Sequence, residues 1–117
     1  GMMTFFEIKS DFLCKDEKSD TGNLAIEIRY KGRPSGISAS ESDVLMYYFP
    51  YLNEDNVWMI KIKDLKDLIK SEIKNLKVVM GGDDKQSEMV LIPREKFKKH
   101  FHVDMFNAKH HPAKYDY

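Results

Sequence analysis

Two short stretches alternate at a period of two residues, and that period constrains the fold more than any other feature of the chain. In "FFEIKSDF", Phe6, Ile8, Ser10 and Phe12 fall on one side and Phe5, Glu7, Lys9 and Asp11 on the other. In "LAIEIRY", Leu24, Ile26, Ile28 and Tyr30 share one side and Ala25, Glu27 and Arg29 the other. Between them lies the polar stretch "CKDEKSDTGN", with Gly22 and Asn23 at its end. This arrangement predicts an antiparallel hairpin of residues 4–12 with 24–30.

The rest of the chain adds helices and further strands. "KGRPSGIS" is punctuated by Gly32, Pro34 and Gly36 and reads as a loop. "SESDVLMYYF" predicts a helix over 40–49, with Ser40 as N-cap, Asp43 three residues on, and Pro50 as its stop. "VWMIKI" predicts a strand, and "DLKDLIKSEI" a helix with Leu65, Leu68, Ile69 and Ile73 at helical spacing. "LKVVM" and "EMVLI" flank "GGDDKQS" as a second hairpin. "PREKFKKHF" predicts a short helix with Pro93 in its first turn. Residues 102–117 read as a loosely ordered tail. The order ββαβαββα implies one α+β domain over residues 1–117.

Composition narrows the function. Lysine and arginine number 19, as do aspartate and glutamate, so no overall basic field attracts nucleic acid and any such binding needs a local patch. A single cysteine, Cys14, excludes an internal disulfide framework and suits a reducing, cytoplasmic setting. No apolar run has membrane-spanning length, so no membrane partner is expected. Gly1 ahead of Met2 reads as an expression-tag scar.

Several groups could carry chemistry. If the first two strands pair, Glu7, Lys9, Asp11, Glu27 and Arg29 share a small surface. That set could hold a divalent cation beside a lysine, or be a solvated face with cross-strand ion pairs. In "KGRPSGIS", Lys31, Arg33, Ser35, Gly36 and Ser38 precede the expected helix and could cradle a phosphate, although an ordinary strand-to-helix loop has the same composition. Asp83 and Asp84 could bind a cation or simply form a glycine-rich turn. His100, His102, His110 and His111 match no closed zinc spacing. "YYFPY" could stack a base, but its aromatics suit a helix end packed on a sheet.

The run "EIKSD…TGNLAIE…GRPSGI", with the later "GGDD…S…LIP", resembles small phage-type endonuclease-like proteins of the PD-(D/E)xK nuclease superfamily. The resemblance spans residues 5–49 and, more weakly, 81–93. It implies a restriction-endonuclease-like mixed sheet with flanking helices, and Mg²⁺- or Mn²⁺-dependent hydrolysis of phosphodiester bonds in DNA. Glu7 and Lys9 correspond to the superfamily's E-x-K, so Glu7 is expected to bind metal and Lys9 to act in catalysis. Asp11 and Glu27 correspond to further acidic, metal-binding positions, and Lys31, Arg33, Ser35 and Gly36 become the expected DNA contacts.

The superfamily places a helix and an aspartate-bearing strand ahead of E-x-K, and this sequence has no room for them before Phe5. The expectation is therefore an N-terminally truncated nuclease core. Such a core would be weakly active or inactive, would bind nucleic acid or protein without cutting, or would complete its sheet as a homo-oligomer.

Overall fold

The computed structural model describes residues 3–106 of the 117. It is an α+β domain with two four-stranded sheets and two short helices. The first sheet holds β1 (Phe6–Ser10), β4 (Val44–Tyr48), β5 (Val57–Lys61) and β8 (His102–Asp104), in the order β1-β4-β5-β8. The second holds β2 (Asn23–Tyr30), β3 (Arg33–Pro34), β6 (Lys77–Gly81) and β7 (Ser87–Pro93), in the order β3-β2-β7-β6. Helix α1 (Ile62–Glu72) follows β5 directly, and α2 (Arg94–Phe97) follows β7.

The expected hairpin of 4–12 with 24–30 does not form. β1 pairs in parallel with β4, and β2 pairs antiparallel with β7. The physical reason is complementarity of apolar faces. Leu24 sits opposite Ile92 and Ile26 opposite Val90, and all four are buried. β1 offers β2 no such face, because its own inner side carries Glu7 and Lys9. The intervening segment is long enough to cross between sheets and is shaped by its own turns. Asp11 Oδ1 accepts from the N–H groups of Leu13 and Cys14, and Asp20 Oδ1 from that of Gly22.

The expected helix over 40–49 is also replaced, by strand β4. An apolar run this short does not distinguish helix from strand, and burial decides it. Leu45, Tyr47 and Phe49 are buried while Val44, Met46 and Tyr48 are half-buried, a two-residue period. Asp43 does not cap a helix. Its carboxylate accepts from the Phe5 N–H at 2.8 Å, and its own N–H donates to the Phe5 carbonyl at 2.8 Å, which aligns β1 with β4. The strand at 57–61 and the hairpin β6–β7 form as the sequence predicts, and the expected helix over 64–73 forms as Ile62–Glu72, which leaves Ile73 exposed past its end. Pro93 ends β7 instead of opening the last helix, and part of the expected tail is strand β8 against β5. His110 and His111 lie outside the described residues.

The core lies between the sheets and under α1. Trp58, Tyr47, Phe49, Leu24, Leu65, Ile92 and Val90 are its largest fully buried side chains. One polar cluster staples its rim. The Arg94 guanidinium pairs with Asp20, donates to the Asn23 carbonyl at 3.1 Å and lies 4.6 Å from the Phe49 ring centroid. The hydrogen bond from Arg94 holds the Asp20 carboxyl below the usual range. Burial, with the Asp20 charge beside it, pushes the Cys14 thiol up to about 11.

Because Arg94 is buried, Asp20→Ala leaves its charge unpaired and is expected to cost about 3 kcal/mol in urea unfolding. Asp20 is depressed in the folded state, so its contribution is present above the unfolded value of about 3.9. It is lost as pH falls through the folded value. Acid titration of the wild type followed by circular dichroism should therefore show a destabilising step that the variant lacks.

Candidate functional site

Although β1 and β2 belong to different sheets, their charged residues line one cleft. It has a volume of about 750 Å³ and is walled by Glu7, Lys9 and Asp11 from the first sheet and by Ala25, Glu27 and Asp83 from the second. Val79, Met89 and Leu91 form an apolar floor. They share a face with Ala25 and Glu27, because Leu91 is opposite Ala25, Met89 opposite Glu27, and Val79 opposite Met89. This is the face of the second sheet that turns away from Leu24, Ile26, Val90 and Ile92.

β1 is inverted relative to an ordinary surface strand. Its polar residues point inward, and Phe6 and Ile8 are exposed at 50% and 66%. Lys9 reaches across the gap and donates from Nζ to the Ala25 carbonyl at 2.7 Å. Its ammonium lies 5.3 Å from the Tyr47 ring centroid. Burial lowers the Lys9 pKa from the ordinary lysine value, opposed by the charges of Asp11 and Glu27.

The Tyr47 hydroxyl donates to Asp11 Oδ2 at 3.0 Å and accepts from the Ala25 N–H at 3.3 Å. Burial, together with the Asp11 charge, raises the Tyr47 pKa, so the phenol stays protonated. Glu27 is braced from its other side. Ser35 Oγ donates to Glu27 Oε2 at 3.1 Å, and Gly36 lies against the Glu27 backbone with φ +52°. A Cβ at position 36 would stand 2.4 Å from the Glu27 carbonyl oxygen. The β2–β7 register shifts between Glu27 and Arg29, a bulge that turns Glu27 towards this loop.

The other candidates sort differently. Lys31 and Gly32, both at positive φ, form the two-residue turn of the β2–β3 hairpin, so Lys31 and Arg33 are exposed at its tip. Ser35 and Gly36 serve Glu27, and the chain from Gly36 to Ser38 makes a single 3-10 turn in place of a long helix. The helix-dipole phosphate cradle expected there is therefore not built. Arg29 pairs with Glu88 at 3.4 Å on the surface. Asp84 accepts from the Tyr30 hydroxyl and the Gln86 N–H in the β6–β7 turn. His100 lies against Phe97 and His102 sits on β8. Of "YYFPY", Tyr47 and Phe49 are core residues.

Among the described residues, no three histidine, cysteine or acidic side chains gather closely enough to hold a metal ion between them. The bracing roles of Tyr47 and Ser35 escaped the sequence reading. For Tyr47 the sequence held no signal, because "VLMYY" is apolar on every side and its two-residue period appears only as burial in the fold.

Chain and site together define an α+β domain of two four-stranded sheets with an acid-rich cleft lined by residues of both. No family model, curated protein or solved structure matches the chain. No helix among the described residues is long and apolar enough to cross a membrane.

The close approach at position 36 gives a direct check. Gly36→Ala combines a positive φ with a backbone clash and is expected to cost about 2 kcal/mol or more in urea unfolding. Ser35→Ala, which removes one partly exposed hydrogen bond, should cost about 1 kcal/mol.

Proposed function

We propose that the chain is an endonuclease-like protein of the restriction-endonuclease-like class, with a cleft suited to a divalent cation and a phosphodiester, and with weak or no cutting activity as a lone chain. The observation that carries this reading is the convergence of Glu7, Lys9, Asp11 and Glu27 on one cleft from two separate sheets.

The electrostatics favour a cation. Four carboxylates, including Asp83, line the cleft against one lysine. A bare phosphate is repelled there, whereas a hard, oxygen-seeking ion is attracted. Mg²⁺ or Mn²⁺ would be held by one or two of Glu7, Asp11 and Glu27, with water and phosphate oxygens as the remaining ligands. When bound, the ion polarises the phosphoryl group and activates water. Lys9, desolvated and positioned by the Ala25 carbonyl, would orient the attacking water and offset charge developing on the phosphoryl oxygens. Lys31 and Arg33, exposed at the β2–β3 tip, would contact the DNA backbone outside the cleft.

A second reading, a module that binds DNA without cutting it, is favoured by the commitments of Asp11. Its Oδ1 accepts two backbone N–H groups and its Oδ2 accepts from Tyr47, so little of it is left for a metal.

Plasmid nicking with Mg²⁺ and Mn²⁺ separates the two readings. The expected result is slow, metal-dependent nicking that Glu7→Gln and Lys9→Met reduce at least about tenfold, as for loss of a group acting in the transition state. Equal background in all three proteins, together with salt-sensitive DNA binding, supports the second reading. Equal background without DNA binding overturns both.

A further inference from the structure

β1 forms one edge of its sheet, and no strand among the described residues pairs with its side away from β4. The ladder to β4 uses the odd-numbered residues of this segment: the Val44 N–H donates to the Phe5 carbonyl and the Asp11 N–H to the Tyr48 carbonyl. The N–H and C=O groups of Phe6, Ile8 and Ser10 therefore point outward along the free edge. Of the usual protections this edge has only the inward-pointing charges of Glu7 and Lys9. It has no proline or bulge, and its outer-facing side chains are Phe6, Ile8 and Ser10, without a charge.

We propose that two copies of the chain pair antiparallel through β1, about a twofold axis at Ile8, to give one continuous eight-stranded sheet. The occupant is argued from self-complementarity. In this register Ile8 meets Ile8 of the second copy, and Phe6 meets Ser10. These are the residues whose backbone groups point outward, so they can exchange hydrogen bonds in pairs. On the inner face, Glu7 then stands opposite Lys9 of the second copy, and Lys9 opposite its Glu7. "FEIKS" is in this sense charge-palindromic about its central isoleucine. Moving one copy along by two residues instead places Glu7 opposite Glu7 or Lys9 opposite Lys9, and like charges directly opposite are destabilising. The inference does not depend on the chemistry of the cleft, although it would bring Glu7 of one copy beside Lys9 of the other.

Cysteine cross-linking in a Cys14→Ser background tests the register. Ile8→Cys places two Cα atoms about 5.5 Å apart across the axis, within disulfide reach. Mild oxidation should give a covalent dimer. Phe6→Cys alone should not, because the two copies of residue 6 are about 13 Å apart along the strands, whereas Phe6→Cys mixed with Ser10→Cys should. Sedimentation of the unmodified chain should show a concentration-dependent dimer. Ile8→Lys, which sets two ammonium groups face to face, should raise its dissociation constant by about tenfold or more.

Glu7→Lys, which sets like charges opposite each other in both Glu7–Lys9 pairs, should weaken the dimer. A folded chain that stays monomeric at millimolar concentration overturns the proposal. So does a dimer indifferent to Ile8→Lys, or self-linking of Phe6→Cys as efficient as that of Ile8→Cys.

Discussion

The two sheets are joined at the backbone of Ala25, and the cleft depends on that joint. β2 is flanked by β3 only at Arg29 and Tyr30, so the edge of β2 near Ala25 has no neighbouring strand. Unpaired N–H and C=O groups shielded from water cost free energy. Here the Tyr47 hydroxyl accepts from the Ala25 N–H, and the Lys9 ammonium donates to its carbonyl. Both side chains come from the inner face of the other sheet. Two polar groups on adjacent strands thus do what a further β-strand would otherwise do, and they set the distance between Glu7 and Asp11 on one wall and Glu27 on the other. The inward charge of β1 follows from this geometry, because an apolar residue at position 9 could not satisfy that carbonyl.

The same joint explains the electrostatic character of the cleft. Lys9 is half surrounded by protein, and burial works against its charge while Asp11 and Glu27 support it. Asp11 is held by Tyr47 and by two backbone donors, and Glu27 by Ser35 and the close approach of Gly36. Preorganised carboxylates beside a desolvated lysine are expensive to build without a ligand or a structural return. The structural return at Ala25 is visible, and the excess of acid over base is the feature on which the proposed cation site rests.

Much of this was legible in the sequence, for identifiable reasons. The strand at 57–61, helix α1 and the β6–β7 hairpin rest on local signals: a β-rich run, a helical repeat of leucine and isoleucine, and a glycine turn. Alternation fixed Glu7, Lys9 and Asp11 as one face and placed Glu27 on a face of β2, but the sequence joined the two sets through a hairpin that does not form, and the cleft brings them together from separate sheets instead. The pairing itself was not legible. Two alternating strands near each other in sequence suggest a hairpin, but the choice between β4 and β7 as partners is made by nonlocal burial, chiefly Leu24 and Ile26 against Ile92 and Val90. β4 was misread for a related reason: "VLMYY" is apolar on every side, and only its surroundings impose the two-residue period. The loop "GRPSGI" has the glycine and hydroxyl content of a phosphate cradle, yet its Ser35 and Gly36 are turned towards Glu27.

Amide hydrogen exchange at Ala25, measured by NMR on the wild type and on Tyr47→Phe, tests the joint most directly. If Tyr47 and Lys9 close the edge of β2, the Ala25 amide is protected in the wild type. It then exchanges markedly faster in Tyr47→Phe, while Leu24 and Ile26, paired with β7 or buried beneath it, keep their protection. An Ala25 amide that exchanges in the wild type as fast as an open edge, or one unaffected by loss of the hydroxyl, would contradict the account.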